Sequence, residues 1–403
     1  MPLLIARRPV FDSREQIFAY DLAVRGDADA TGLHQEVHPE QLLAEVFLET
    51  GVASVAGAHR VFVATSHDLL VGGTLRILPA DRVILQIPTA APGDSEVVSA
   101  CQDLVSAGYQ LAVDVDDRTE LGAALGAANV IRVDVSSVAT GALADLTKRL
   151  RAYPARLLAT NVPHRGERDR CAALGFDLFE GYRFSAPVSP RRDVGVDQLR
   201  AFRVLRLLRD PKSEDRNIEA LVQGDVGLAY KLLRMVNNAA MGGREIWSIG
   251  HALRLLGREH LARWLSVLLV SDTGSTGVRA ELAHLALVRA RMCECVATLV
   301  GVPRAAGSLF LVGMFSVLDQ LLEVPMADLC AAADLAPDLR NALLHRTDLL
   351  GSALGLVEAY VSGRWDDVEA AAAPLGVVAA SLQPLYLDAL GWAASQDRSQ
   401  AAE

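Results

Sequence analysis

Three short runs decide the fold class of this chain: Gln110-Leu111-Ala112-Val113-Asp114-Val115, Val130-Ile131-Arg132-Val133-Asp134-Val135 and Arg156-Leu157-Leu158-Ala159-Thr160. Each is an aliphatic, β-branched block of strand length, too short for a core helix. Helix-length segments alternate with them, Ser95–Ala107 ahead of the first and Gly141–Tyr153 ahead of the third. Strand, helix, strand at intervals of roughly 20–30 residues is the pattern of a parallel sheet with crossover helices. Toward the N-terminus, Arg60–Thr65 and Arg82–Ile87 read as two more strands, with Pro39–Thr50 as a helix. A run of such units predicts an α/β barrel rather than a fragment of open sheet.

The pattern changes near residue 190. Ser189-Pro190-Arg191-Arg192-Asp193 is a polar, proline-containing bridge, and the chain beyond it has helical periodicity. Helices are expected over Asp197–Leu208, Ser213–Gln223, Val226–Asn237, Ser248–Leu256, Arg258–Val270, Ala280–Leu299 and Ala305–Leu322, and on to about Ala394. Two domains are therefore expected, an α/β barrel over 1–190 and an all-helical domain over 191–403 with its core at about 197–394.

Composition narrows the function classes. With 39 basic and 49 acidic residues the 403-residue chain carries a net charge of −10, which speaks against a general nucleic-acid-binding surface. Half of the residues are hydrophobic and 22% are charged, so a disordered acidic chain is excluded. Five scattered cysteines suit a reducing compartment rather than a disulfide scaffold. The apolar stretch Ala370–Ala394 is interrupted by Pro374, Gln383, Pro384 and Asp388 and reads as two buried helical pieces. A cytoplasmic protein without a membrane segment is expected.

A barrel places its chemistry at the C-terminal ends of its strands. Those ends are Thr65-Ser66, Gln86, Asp114, Asp116, Asp134 and Thr160-Asn161. Asp114 and Asp134 end consecutive strands, so their carboxylates are expected to approach each other. Two-metal hydrolysis of a phosphodiester needs a ring of hard oxygen ligands around ions about 3.5–4 Å apart, and these positions make a thin set.

The opening Ile5-Ala6-Arg7-Arg8-Pro9-Val10-Phe11-Asp12, followed by Phe18-Ala19-Tyr20-Asp21-Leu22-Ala23-Val24-Arg25, resembles the start of an EAL domain. Gly181-Tyr182-Arg183-Phe184-Ser185-Ala186-Pro187 is similar to the family's closing segment. The resemblance implies a modified TIM barrel that hydrolyses cyclic di-GMP with two divalent metals. Carried across residue by residue, it puts the metal-binding Glu of the name motif on Asp21 and the Asn ligand on Ala64. The next Glu falls on Gln86 and the Asp-Asp pair on Asp114-Val115. The Lys that helps to activate water falls on Arg132, its partner Asp on Asp134, the later Glu on Thr160 and the closing Gln on Glu180. Arg25 matches an arginine that faces a ligand phosphate in the family. Ala64, Val115 and Thr160 cannot replace a charged or amide ligand, and Arg132 cannot act as a base.

Leu232-Leu233-Arg234-Met235-Val236-Asn237-Asn238-Ala239, Ile246-Trp247-Ser248-Ile249-Gly250-His251-Ala252-Leu253 and Leu255-Leu256-Gly257 resemble the HDOD domain. That family is similar in fold to HD-type phosphohydrolases but lacks their metal ligands. Where a catalytic member would have a His-Asp pair, this chain has Gly313-Met314-Phe315-Ser316-Val317. His251, His260, His284 and His345 are scattered, and His67-Asp68 reads as a surface turn. Two residues apart on a helix, the Cys293 and Cys295 thiols point away from each other and cannot share a metal. Arg200, Arg203, Arg206 and Arg209 form a stripe on one helix, expected to pair with Asp210, Glu214 or Asp215.

The order of the two resemblances is that of the bacterial EAL–HDOD signal-transduction family. The expectation is a non-enzymatic adaptor: an inactive barrel as scaffold, no metal, no cofactor, and protein partners docked through the helical domain at Asn237, Asn238 and Trp247. Asp21, Arg25, Asp114 and Asp134 remain as vestigial ligand-facing groups. The alternatives are a cyclic di-GMP receptor without hydrolysis and an active phosphodiesterase.

Overall fold

In a computed structural model, the structure describes residues 4–25, 51–87, 95–116, 123–181, 196–225, 227–232, 248–271 and 277–401. Eight strands close into a barrel in chain order. They are β1 (Leu4–Asp12), β2 (Ile17–Arg25), β3 (Arg60–Ala64), β4 (Val83–Ile87), β5 (Gln110–Val115), β6 (Val130–Asp134), β7 (Arg156–Thr160) and β8 (Leu178–Glu180). Neighbours from β2 to β8 run parallel, whereas β1 is antiparallel to both β2 and β8. The expected barrel is present, and its reversed first strand makes it a modified one.

The two faces of each strand separate by the period of two that strand geometry imposes. Val10, Ala19, Phe62, Ile84, Ala112, Val130, Leu158 and Leu178, one residue from each strand, pack together as a layer inside the barrel. The alternate residues, such as Val63, Leu85, Val113, Val133 and Ala159, pack outward in a larger cluster with residues of the surrounding helices. Helix Ser95–Ser106 gives Val97, Cys101 and Leu104 to that cluster, and helix Thr140–Leu150 gives Leu143, Leu146 and Leu150. Burying that outer face contributes about 25 cal/mol for each Å² of apolar surface removed from water.

The His67-Asp68 pair corrects the expected surface turn. It begins a short helix, His67–Val71, capped by Ser66, whose hydroxyl accepts from the Leu69 amide at 3.2 Å. The helix expected over Pro39–Thr50 and the bridge Ser189–Asp193 lie outside the described residues.

Two compact units emerge, and neither is continuous in sequence. One joins Met1–Pro187 with Thr276–Glu281 and Glu358–Glu403; the other joins Val188–Ser275 with Leu282–Val357. In the first, the C-terminal helix Leu382–Ala401 packs beside β1. The Ile5 amide donates to Gln383 Oε1 at 2.8 Å and the Arg7 amide to the Tyr386 hydroxyl at 3.2 Å. Tyr20 donates to Glu281 at 2.8 Å.

The second unit is helical, with Val196–Arg209, Asp215–Gln223, Ile249–Ser271, Ala306–Phe315 and Leu318–Leu322 among its helices. Gly257, at φ 76° and ψ 161°, is non-helical and divides Ile249–Ser271 into the two helices that were expected on either side of it. The single helix expected over Ala305–Leu322 is two, broken at Ser316 and Val317. Gly313 is required by packing: a Cβ there would stand 2.5 Å from the Arg289 carbonyl oxygen. By length and composition Pro303–Leu322 could cross a membrane, yet Leu309–Phe315 is entirely buried in this unit. The apolar C-terminal pair expected as two pieces bends by 97° between Trp365–Leu375 and Ala379–Gln396.

Candidate functional site at the barrel mouth

Two residues beyond the apolar layer, toward the C-terminal ends of the parallel strands, the inward positions turn polar. They are Asp21, Gln86, Asp114, Arg132, Thr160 and Glu180, with Ala64 as the apolar member, and antiparallel β1 contributes Arg8. The sequence thus sets a charged layer on an apolar floor. Val115 was expected in this set, but it packs in the outer cluster instead, because the residue after Asp114 must face the other way.

Asp21 is the hub and is 4% exposed. Arg8 Nη2 donates to its Oδ2 at 2.6 Å, while Arg132 spans both oxygens at 3.3 Å from Nη1 and Nη2. Gln86 Nε2 donates to Oδ1 at 3.4 Å. Arg132 also stacks over the Phe62 ring, 5.2 Å from its centroid. Arg8 Nε lies 3.2 Å from Glu180 Oε1, and Arg132 Nε lies 3.1 Å from Asp114 Oδ1. Neither approach is aligned for a hydrogen bond, so both buried Nε–H groups and Glu180 Oε1 lack one.

Burial works against both guanidinium charges, yet the neighbouring carboxylates outweigh it and raise the proton affinity of Arg8 and Arg132. Burial first, with Asp21 adding, pushes the Glu180 carboxyl upward. Asp114 is raised by burial and by Asp21 and Asp134, against Arg132, so the two strand-end carboxylates do sense each other. Asp134 goes the other way: burial would raise it, but hydrogen bonds from Ser136 and Asn161 hold it below the usual range. Ser136 donates its hydroxyl at 2.7 Å and its amide at 2.9 Å, and Asn161 Nδ2 donates at 2.9 Å.

Asn161 stands in the left-handed region at φ 54° and gives its own amide to Glu180 Oε2 at 3.2 Å. Gly181 follows at φ 82°, where a Cβ would meet Asn161 Cα at 2.9 Å. Thr160 turns its hydroxyl to the Val133 carbonyl at 3.3 Å and away from the mouth. Arg25 lies apart from this layer, with Nη1 at 2.8 Å from Asp366 and Nη2 at 3.7 Å from Glu369. The residues that sequence reasoning missed are Arg8 and Ser136, whereas Asn161 was named as a strand end. Arg8 was signalled by the alternation Ala6, Arg8, Val10, which places a charge on the inward face.

The donor set decides what the mouth can hold. The EAL resemblance implies two divalent metals, but both oxygens of Asp21 are engaged by guanidinium groups, and two cations already occupy the layer. Among the described residues no group of three or more His, Cys, Asp or Glu is placed to share a metal ion. The residues present do not fit a two-metal centre. In the helical unit, the described histidines are scattered: His251 and His260 on the two halves of Ile249–Ser271, either side of Gly257, His284 on Gly277–Leu299 and His345 on Pro337–His345. Asn237, Asn238 and Trp247 lie outside the described residues.

The family model for the HDOD domain matches residues 199–332. The cyclic di-GMP phosphodiesterase CdgJ of Vibrio cholerae is 28% identical, over 98% of this chain and 92% of that protein. The uncharacterized protein YuxH of Bacillus subtilis is 26% identical, over 97% and 98%. Solved structures include the FimX EAL domain from Pseudomonas aeruginosa bound to c-di-GMP (TM-score 0.35, 18% identity, 45% of this chain and 88% of that one). Another is the Bacillus subtilis YkuI protein, with an EAL domain, in complex with c-di-GMP and calcium (TM-score 0.35, 14% identity, 64% and 72%). The relation to CdgJ contradicts the expectation of a non-enzymatic adaptor and of a chain without enzymatic activity, since it runs through both halves of a protein named as a phosphodiesterase. The HDOD family model thus covers residues 199–332 of the helical half, behind a closed eight-stranded barrel.

Proposed function

We propose that this chain is a cyclic di-GMP phosphodiesterase acting at the mouth of its barrel. The observation that carries the reading is the end-to-end relation to CdgJ. The chemistry of the mouth supports it. A cyclic dinucleotide presents phosphodiester oxygens, and half-buried Arg8 and buried Arg132 set two guanidinium charges at the mouth. Guanidinium groups fixed in a poorly hydrated layer stabilise charge that grows on phosphoryl oxygens. Asp114, with its side chain 47% exposed and its carboxyl raised, is the member of the cluster that water reaches and the proposed acceptor of the attacking water's proton. Asp134, Asn161 and Gly181 position the strand ends around it. We place an EAL-type domain at 1–190 and an HDOD domain from 191 onward, whose segment from Glu358 packs in the barrel's unit, and the protein in the cytoplasm.

The test is incubation of the purified chain with cyclic di-GMP, with Mg²⁺, with Mn²⁺ and with a chelator, followed by chromatography of the products. Linear dinucleotide is expected above the protein-free control, with loss of product in Asp114→Asn and Arg132→Ala. Unchanged cyclic di-GMP under all three conditions overturns the proposal.

A further inference from the structure

The arginine stripe of helix Val196–Arg209 does not pair as its sequence suggested. Arg200 lies 3.7 Å from Asp225 and Arg206 is paired with Asp334, both on other segments of the helical unit. Arg209 does something else. It lines a cavity of about 290 Å³ together with Arg258, Arg263 and Arg304, and Glu259 is the one acid among the lining residues.

The four guanidinium groups are not equivalent. Arg258 is held by Asp215 Oδ1, at 2.9 Å from Nε and 2.7 Å from Nη2, and by backbone carbonyls. Arg263 is paired with Glu294 and lies over the Phe310 ring, 4.5 Å from its centroid. These two are neutralised. Arg209 has a neutral partner, donating to Ser308 Oγ at 2.6 Å, and Arg304 is exposed at the rim with no ion pair among the described residues. Burial lowers the proton affinity of Arg209 against the more distant attraction of Asp338 and Glu259. A partly buried cation with no ion-pair partner is costly to keep, and an anion beside it removes that cost. Ser308 accepts from Arg209, so its own proton remains to be donated.

We propose that this cavity is a binding site for a small phosphate ester. Arg209, Arg304 and the Ser308 hydroxyl converge on the phosphate, while Leu208, Ala262 and Leu311 line the space for the organic part. The volume lies at the lower end of small-molecule pockets, roughly 300–1,000 Å³, so the ligand is a phosphorylated metabolite rather than a dinucleotide. The site lies wholly within the helical unit.

Calorimetric titration of the full chain with ribose 5-phosphate and with inorganic phosphate, in low-salt buffer, tests it. One site per chain is expected, tighter for ribose 5-phosphate and weakened by added salt. Arg209→Gln and Arg304→Gln should each weaken binding about tenfold, the effect of one charge-assisted contact of about 1.4 kcal/mol. Arg304 is exposed, so its variant keeps the test valid if Arg209→Gln folds poorly. Arg203→Gln, an exposed arginine of the same helix, should bind as wild type. No heat with either ligand, equal affinity for both, or an equal loss in Arg203→Gln overturns the proposal.

Discussion

Replacing Asp21 by asparagine removes one charge from the centre of the barrel mouth and leaves its shape. The structure sets the size of the effect. Arg132 has a side chain 9% exposed and takes two contacts of 3.3 Å from Asp21, so it cannot recover the lost charge from water. Arg8 has the shorter contact, 2.6 Å, but its side chain is 31% exposed and water replaces much of what is lost. Breaking a buried pair costs about 3–5 kcal/mol. Discounting the Arg8 contact and allowing Arg132 its remaining approach to Asp114 gives about 3 kcal/mol. Native-state hydrogen exchange read by mass spectrometry reports this locally, avoiding the assumption that two compact units unfold together. Peptides covering β4 to β6 should exchange about a hundredfold faster in Asp21→Asn, at roughly 1.4 kcal/mol per factor of ten. Exchange within threefold of wild type would refute the view that Asp21 ties the layer together.

Further outcomes rest on the same geometry. Asp134 contributes stability that is complete above its unfolded value near ~3.9 and is lost as pH falls through the lower native value, so Asp134→Asn should be less stable at neutral pH. That difference should close in strong acid, as followed by urea midpoints across a pH series. Arg25→Ala should leave the urea midpoint almost unchanged, because its partners Asp366 and Glu369 are exposed and such pairs contribute about 0–1 kcal/mol. In the product assay it should cost less activity than Arg132→Ala. Burial pushes the Cys101 and Cys171 thiols up to about 11, so in the native chain at pH 8 iodoacetamide should modify partly exposed Cys295 first, as mass spectrometry would show.

Much of the barrel was legible because its central strands are short aliphatic blocks. β5 and β7 match their expected bounds, and β3, β4 and β6 differ by one residue. β1, β2 and β8 were harder: β1 carries Arg7, Arg8 and Pro9 inside its run, and β8 has three residues, too few for any periodicity. The mouth residues were legible as strand ends, but their grouping was not. Whether Asp21 meets Arg132 depends on the barrel closing, and the two stand far apart in sequence. Val115 shows the opposite failure, where a motif position carried across by resemblance ignored which face a strand residue presents. Reading absent ligands as absent activity also misjudged the function, because the relation to CdgJ runs through the whole length.

The bond between Ile5 and Gln383 has a consequence for synthesis. The eight strands leave the ribosome long before the helix Leu382–Ala401 that lies along β1. Until that helix is made, the Ile5 and Arg7 amides lack Gln383 and Tyr386. A nascent chain stalled in the helical half is thus an unfinished barrel with an open seam, a target for chaperones and for edge-to-edge association. Completion of the last helix is the step that commits the first strand.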